Sequence, residues 1–170
     1  MIHVFDEDGT LLPEEKDAIN ALTKLPLKEL NLEAVAVCAN LYRTAQLLKN
    51  KMEQEVLSEH RLSWTAFSIL YDLWVWRSME TKRLAETSGV SKATVSNITK
   101  TLERKELCSR KTDPRDRRIV YVAITEKGRE VMENLYPRFH QGETELAGSL
   151  EKEEQKVMVG LLRKIIRNNE

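Results

Sequence analysis

The sequence predicts a mainly α-helical fold carrying one small β-hairpin, and three observations predict it. Apolar residues recur at steps of three and four over most of the chain. Two short runs at 107–124, the second rich in Ile, Val and Tyr, flank a polar turn with Pro and Asp. Serine, threonine and glycine stand at the ends of the helical runs, where caps and stops belong.

Residues 1–30 read as a separate arm. Asp6-Glu7-Asp8-Gly9 is turn-like, Pro13 with Glu14 and Glu15 suits the first turn of a short helix, and Pro26 interrupts what precedes it. A long helix follows from about 32 to 57, with Ala34, Val37, Cys38, Leu41, Ala45, Leu48 and Met52 on one apolar stripe. On that stripe Cys38 is expected to be a small buried hydrophobe. Ser63 is an N-cap for a helix at 64–74 with Phe67, Leu70, Tyr71 and Trp74 on one face.

After a break near Arg77-Ser78, a short helix spans about 80–88 and stops at Gly89, which tolerates the left-handed conformation of a C-terminal stop. Ser91 caps the next helix, about 91–105, whose buried face is expected to be Val95, Ile98 and Leu102. Leu107–Lys111 and Ile119–Ile124 read as strands of a hairpin with a basic tip. Thr125 caps a further helix bearing Val131, Leu135 and Phe139, which Pro137 should kink or stagger. The last helix, about 150–168, is acidic in its first turn and basic in its last, which complements the helix dipole. Val157, Met158, Leu161, Leu162, Ile165 and Ile166 form its wide apolar face.

The formal net charge is zero, but the charge is unevenly placed. Residues 82–118 hold 11 Lys and Arg against five Asp and Glu, leaving 16 basic and 22 acidic residues for the rest. This asymmetry fits a polyanion-binding face on an acidic body. Two isolated cysteines, Cys38 and Cys108, suit a reducing compartment better than a disulfide framework. The acidic start lacks a signal-peptide pattern, and no apolar run nears the roughly 20 residues of a membrane span. A soluble, intracellular protein with no membrane partner is therefore expected.

The segment 80–118 bears the chemistry. A short helix, a glycine turn and a second helix make a helix-turn-helix. Ser91, Lys92, Thr94, Ser96, Asn97 and Lys100 are left largely off the apolar stripe of the second helix. Short hydroxyl, amide and cationic groups of this kind read base edges and phosphates of double-stranded DNA in a major groove about 12 Å wide. The hairpin adds Arg110, Lys111, Arg115, Arg117 and Arg118. Arginines at such a tip can enter a minor groove. Asp113 and Asp116 fit as partners that hold selected arginines in place.

The stretches Leu84-Ala85-Glu86, Gly89-Val90-Ser91-Lys92-Ala93-Thr94-Val95-Ser96, Leu102-Glu103-Arg104-Lys105, Asp113-Pro114-Arg115-Asp116-Arg117-Arg118 and Ile124-Thr125-Glu126-Lys127-Gly128 resemble the MarR family of bacterial regulators. The resemblance covers about 32–168 and is strongest from 62 to 128. It implies a winged helix-turn-helix DNA-binding domain at 61–124 and a helical dimerisation region from 31–60 and 125–170. It also implies a homodimer that binds a pseudo-palindromic operator, commonly as a repressor. DNA release would follow binding of a small aromatic or lipophilic ligand, or cysteine oxidation, near the junction of the two domains. The family usually has glycine where Glu106 stands, so the turn leading into the wing is expected to differ. Cys38 and Tyr42 resemble the sensing cysteine and its neighbouring tyrosine in hydroperoxide-responsive members, although the second tyrosine is replaced at about Met52.

Tyr42, Trp64, Phe67, Trp74 and Trp76 are candidates for lining an apolar ligand cavity, the alternative being plain core packing. His3, His60 and His140 lack metal-ligand spacing, and no metal or cofactor is expected. There is no phosphate-cradling glycine loop, HExxH, nucleophile elbow or paired-cysteine zinc motif, which argues against an enzyme. A winged helix that binds protein rather than DNA is the rival reading, and the basic excess of 82–118 weighs against it.

Overall fold

A computed structural model of the 170-residue chain describes residues 13–26 and 30–169. The turn expected at Asp6–Gly9 and His3 lie outside them. The chain divides into two compact units, residues 1–46 and 47–170.

The first unit holds α1 (Pro13–Thr23) and the first part of α2 (Leu32–Glu55). The side chain of Asn31 accepts a hydrogen bond from the Ala34 N–H at 3.0 Å and so starts α2. The stripe predicted on α2 is uncovered in the single chain. Ala34, Val37, Cys38, Leu41 and Ala45 are exposed, and only Met52, in the second unit, is fully buried. Cys38, expected to be buried, is thus exposed in the single chain: an apolar stripe marks what is to be covered, not what covers it.

In the second unit a 3₁₀ turn (Leu57–His60) leads to α3 (Trp64–Trp76), β1 (Ser78–Glu80), α4 (Thr81–Ser88) and α5 (Lys92–Arg104). Then come β2 (Cys108–Thr112), β3 (Val120–Ile124), α6 (Glu126–Ala147) and α7 (Lys152–Arg167). Three caps fall on the predicted residues. Ser63 accepts from the Ala66 N–H at 3.3 Å, Ser91 from Thr94 at 3.1 Å and Thr125 from Gly128 at 3.0 Å. Gly89 closes α4 with φ 64°. α6 runs unbroken through Pro137, at the cost of one backbone hydrogen bond.

The residues read as a break at Arg77-Ser78 include a strand. β1 is only three residues long and pairs antiparallel with β3, Met79 opposite Val122, giving the sheet order β1-β3-β2. β2 pairs along its whole length with β3, from Cys108 opposite Ile124 to Thr112 opposite Val120. Glu106 enters this hairpin with φ 62°, the conformation a glycine would supply. Its carbonyl accepts from the Thr125 hydroxyl at 2.6 Å, and its carboxylate pairs with Lys127 at 2.7 Å. Glu106 thus makes this turn with a left-handed backbone, and β2 and β3 pair in full register beyond it.

One apolar cluster joins these elements. Leu70 and Leu73 of α3 meet Leu84 of α4, Val95 and Leu102 of α5, Val122 of β3, and Met132 and Phe139 of α6. On α5 the buried residues are Val95, Thr99 and Leu102, while Ile98, predicted to be buried, is only half-buried. Thr99 hides its hydroxyl by donating to the Val95 carbonyl at 2.8 Å, which is how a polar side chain enters a core. Lys105, just past α5, donates to the carbonyls of His60 and Arg61 at 2.9 and 2.8 Å. Lys105→Met should cost about 1–2 kcal/mol by stranding these acceptors. A lower urea midpoint is expected; an unchanged one would mean that water replaces the ammonium freely.

Candidate nucleic-acid interface and apolar cavity

The core seats α5 by one side and leaves the other bare. Lys92, Thr94, Asn97 and Lys100 are exposed, and Ser96 is half-buried at the edge of the packed face. Ser91 has a local duty: besides capping α5, its hydroxyl lies 2.8 Å from the Thr94 hydroxyl. The bare side thus presents two ammonium groups, one carboxamide and hydroxyls on a rigid helix, as direct contact with base edges requires.

The tip of the β2–β3 hairpin is built by its two aspartates, which do different work. Asp113 holds no arginine side chain; its carboxylate accepts the backbone N–H groups of Arg115 and Asp116 at 2.7 and 3.1 Å. This local turn shapes the loop. Asp116 does hold an arginine. Arg118 donates through Nε and Nη2 to the two Asp116 oxygens, each at 3.1 Å, while its backbone N–H donates at 2.9 Å. The guanidinium keeps the Asp116 carboxyl below the usual carboxylate range. Arg115 and Arg117 are exposed, and no protein group among the described residues binds their side chains. The loop is thus a fixed frame with two uncommitted cations. At the base of the wing Glu103, on α5, accepts from the Arg110 N–H at 2.9 Å and ties the wing to that helix.

A cavity of about 270 Å³ lies elsewhere in the second unit, lined by residues of α2, α3 and α6. Of the predicted aromatics, Trp64 and Phe67 line it. Tyr42 and Trp74 do not: Tyr42 is 66% exposed in the first unit, and Trp74 sits behind the wall against Tyr71 and Tyr136. Trp76 is also exposed and away from the cavity. The rest of its ring wall is Tyr71, Tyr136 and Phe139, with Glu143 beside them. Phe67 and Phe139 stack at 4.2 Å, and Tyr71 and Tyr136 lie 5.6 Å apart. Sequence reasoning missed the α6 contribution. The signal available was Tyr136, Phe139 and Glu143 at steps of three and four, one face of a helix.

The two thiols differ. Cys38 is exposed. Cys108 is buried, and desolvation pushes its thiol up to about 12, so it stays a protonated, unreactive core residue. No cluster of metal-binding side chains occurs among the described residues, and no described helix is long and apolar enough to cross a membrane.

A short helix, a glycine turn and a second helix bare on one side, followed by a sheet whose hairpin projects cations, define a winged helix-turn-helix protein. The MarR family profile matches residues 62–120. The chain is 56% identical, over 93% of its length and 92% of the relative's, to the uncharacterized HTH-type transcriptional regulator YwaE of Bacillus subtilis (strain 168). It belongs to the MarR family of transcriptional regulators. It is also 25% identical to the HTH-type transcriptional regulator MhqR of Bacillus subtilis (strain 168), over 82% of this chain and 93% of that protein. Among solved structures it is similar to a DNA complex of Staphylococcus aureus MepR, with TM-score 0.70, 26% identity and coverage of 76% of this chain and 96% of that one. It is likewise similar to Bordetella bronchiseptica BpsR, whose DNA binding is regulated by 6-hydroxynicotinic acid, with TM-score 0.70, 27% identity and coverage of 76% and 98%.

Proposed function

We propose that the protein is a sequence-specific DNA-binding repressor that grips a pseudo-palindromic operator as a homodimer and lets go when a small ligand binds. The observation that carries this reading is the pairing of a bare α5 side with the two uncommitted arginines of the adjoining wing. Lys92, Thr94, Ser96, Asn97 and Lys100 read bases and phosphates in the major groove, with Ser91 at the helix entrance. Arg115 and Arg117 contact the flanking backbone or minor groove, and Arg118, fixed by Asp116, supports them. The DNA-bound MepR relative favours the same use of the fold.

The dimer reading rests on apolar residues that the single chain leaves in water. Val157, Leu161, Ile165 and Ile166 of α7 are 40–63% exposed, and Val37 and Leu41 are exposed as well. Exposed apolar surface on this scale is what a subunit interface covers. Two-fold symmetry would then set the half-sites about one helical turn, roughly 34 Å, apart. The aromatic cavity is the ligand site in this scheme. Ligand acts by favouring a dimer in which the two α5 helices no longer match that spacing.

The test is a fluorescence-anisotropy titration against the DNA upstream of the protein's own coding region, at two salt concentrations. Saturable binding that weakens with salt and survives non-specific competitor is expected. Absence of binding at both salts would favour a winged helix that docks protein instead. Asn97→Ala should relax discrimination at one base pair, by about 1–3 kcal/mol, with little change in salt dependence. An unaltered preference across a panel of single-base operator variants would remove Asn97 from the reading surface. Release by oxidation of Cys38 is a second reading, favoured by the exposure of that thiol in the single chain, and it requires that the subunit interface over Val37 and Leu41 leave Cys38 open. Hydroperoxide should then release DNA from the native protein and leave Cys38→Ser bound.

A further inference from the structure

The cavity has a chemistry of its own. Five aromatic residues, Trp64, Phe67, Tyr71, Tyr136 and Phe139, line one space, and the one carboxylate of that lining is Glu143. The rings are contiguous: Trp64 lies 5.7 Å from Phe139, Phe67 6.2 Å from Tyr71, and Tyr136 6.4 Å from Phe139. No lysine or arginine lines the cavity. Lys51 pairs with Glu145 at 2.6 Å and Arg138 with Glu59. Glu143 lies 3.3 Å from the imidazole of His140, which stacks on Tyr136.

We propose that this cavity takes a small organic cation, an ammonium group carrying an aromatic or branched alkyl body. The proposal rests on the reading of the cavity as the regulator's ligand site and adds the charge of the ligand. Aromatic faces present negative quadrupole potential, and a set of them around one point attracts a poorly hydrated cation. Glu143 supplies the counter-charge, and the two phenols add hydroxyl acceptors. Burial first, and then the neighbouring Tyr71 and Glu143, hold the Tyr136 phenol neutral above its ordinary range; only the Glu143 contribution bears on the sign of the ligand's charge. An aromatic carboxylate would meet no lysine or arginine of the lining and would face Glu143. A neutral hydrocarbon would fill the rings but leave Glu143 without a partner from the ligand. The volume of about 270 Å³ sits near the lower end of small-molecule sites, which run from roughly 300 to 1,000 Å³. A one-ring ammonium is therefore a suitable probe.

The experiment is calorimetric titration of the full chain, free of DNA, with benzyltrimethylammonium, phenylacetate and benzyl alcohol. The cation is expected to bind saturably, about tenfold or more tighter than either comparator. Glu143→Gln should bring the three compounds to within about threefold of one another while leaving the thermal midpoint unchanged, because Glu143 is partly exposed and outside the core. Phe67→Leu should weaken the cation and keep the apolar volume; circular dichroism would show whether it folds. Equal or tighter binding of phenylacetate or benzyl alcohol would overturn the proposal. So would a preference for the cation that survives Glu143→Gln, or no saturable heat from the cation up to millimolar concentration. Operator binding, measured on the same preparation by anisotropy, separates the two readings. Retained DNA binding with no cation binding would refute only this inference, whereas lost DNA binding would refute the regulator reading itself.

Discussion

Replacing Arg115 and Arg117 together by alanine should weaken operator binding by about 10- to 100-fold near physiological salt. It should also make the log–log salt dependence shallower by about two, since each neutralised phosphate contributes close to 0.9 to that slope. Both side chains are exposed at the wing tip with no protein group among the described residues to hold them, so their removal leaves no orphaned partner. The Asp113 turn and the Asp116–Arg118 pair shape the loop without them, and the hairpin should keep its form. Arg118→Ala is the informative contrast. It leaves the already ionised Asp116 carboxylate without its guanidinium partner, unmasking a negative charge at the wing as it removes a positive one. Anisotropy titrations across a salt series would check both. A double variant with native affinity and an unchanged slope would mean that the wing does not touch the nucleic acid.

Gly128→Ala should destabilise the second unit by about 2–3 kcal/mol, lowering its thermal midpoint by roughly 5–10 °C. Glycine inside a helix ordinarily costs about 1 kcal/mol relative to alanine, so the exposed-site expectation has the opposite sign. Here a Cβ would stand 2.0 Å from the Leu107 carbonyl oxygen and 2.9 Å from its carbon. Those atoms belong to the backbone entering β2, whose Leu107 carbonyl also accepts the Thr125 N–H at 3.2 Å. They cannot swing aside as a side-chain terminus can. The first turn of α6 therefore has to rise off the wing, stretching the contacts that join Glu106 to Thr125 and Lys127. Thermal melts followed by circular dichroism would decide. A midpoint equal to or above the native one would mean that the α6 start shifts at no cost.

The same contact gives a physical meaning to the Thr-x-x-Gly step in Ile124-Thr125-Glu126-Lys127-Gly128. Thr125 caps the helix by accepting the Gly128 N–H, and Gly128 has no side chain because a strand carbonyl occupies that place. The first half is local hydrogen bonding and can be read from residue type alone. The second needs two chain segments about 20 residues apart to be brought together.

That division runs through the whole protein. Residue types alone determined the caps at Ser63, Ser91 and Thr125, the left-handed stop at Gly89, the α5 amphipathicity and the basic hairpin, because each depends on partners within a few positions. Three-dimensional packing decided the rest. β1 is too short for an alternation pattern and exists because β3 lies beside it. Thr99 is core because α5 turns it inward, where its own helix accepts its hydroxyl proton. Asp116 holds Arg118 and Asp113 holds backbone, a choice made by the geometry of one loop rather than by charge spacing. The aromatic cavity joins Trp64 and Phe67 to Tyr136, Phe139 and Glu143, and periodicity marked each helix face without naming the face opposite it. Short-range rules act through torsions and nearby hydrogen bonds that every copy of a motif shares, whereas a cavity or a short strand exists only where distant segments meet.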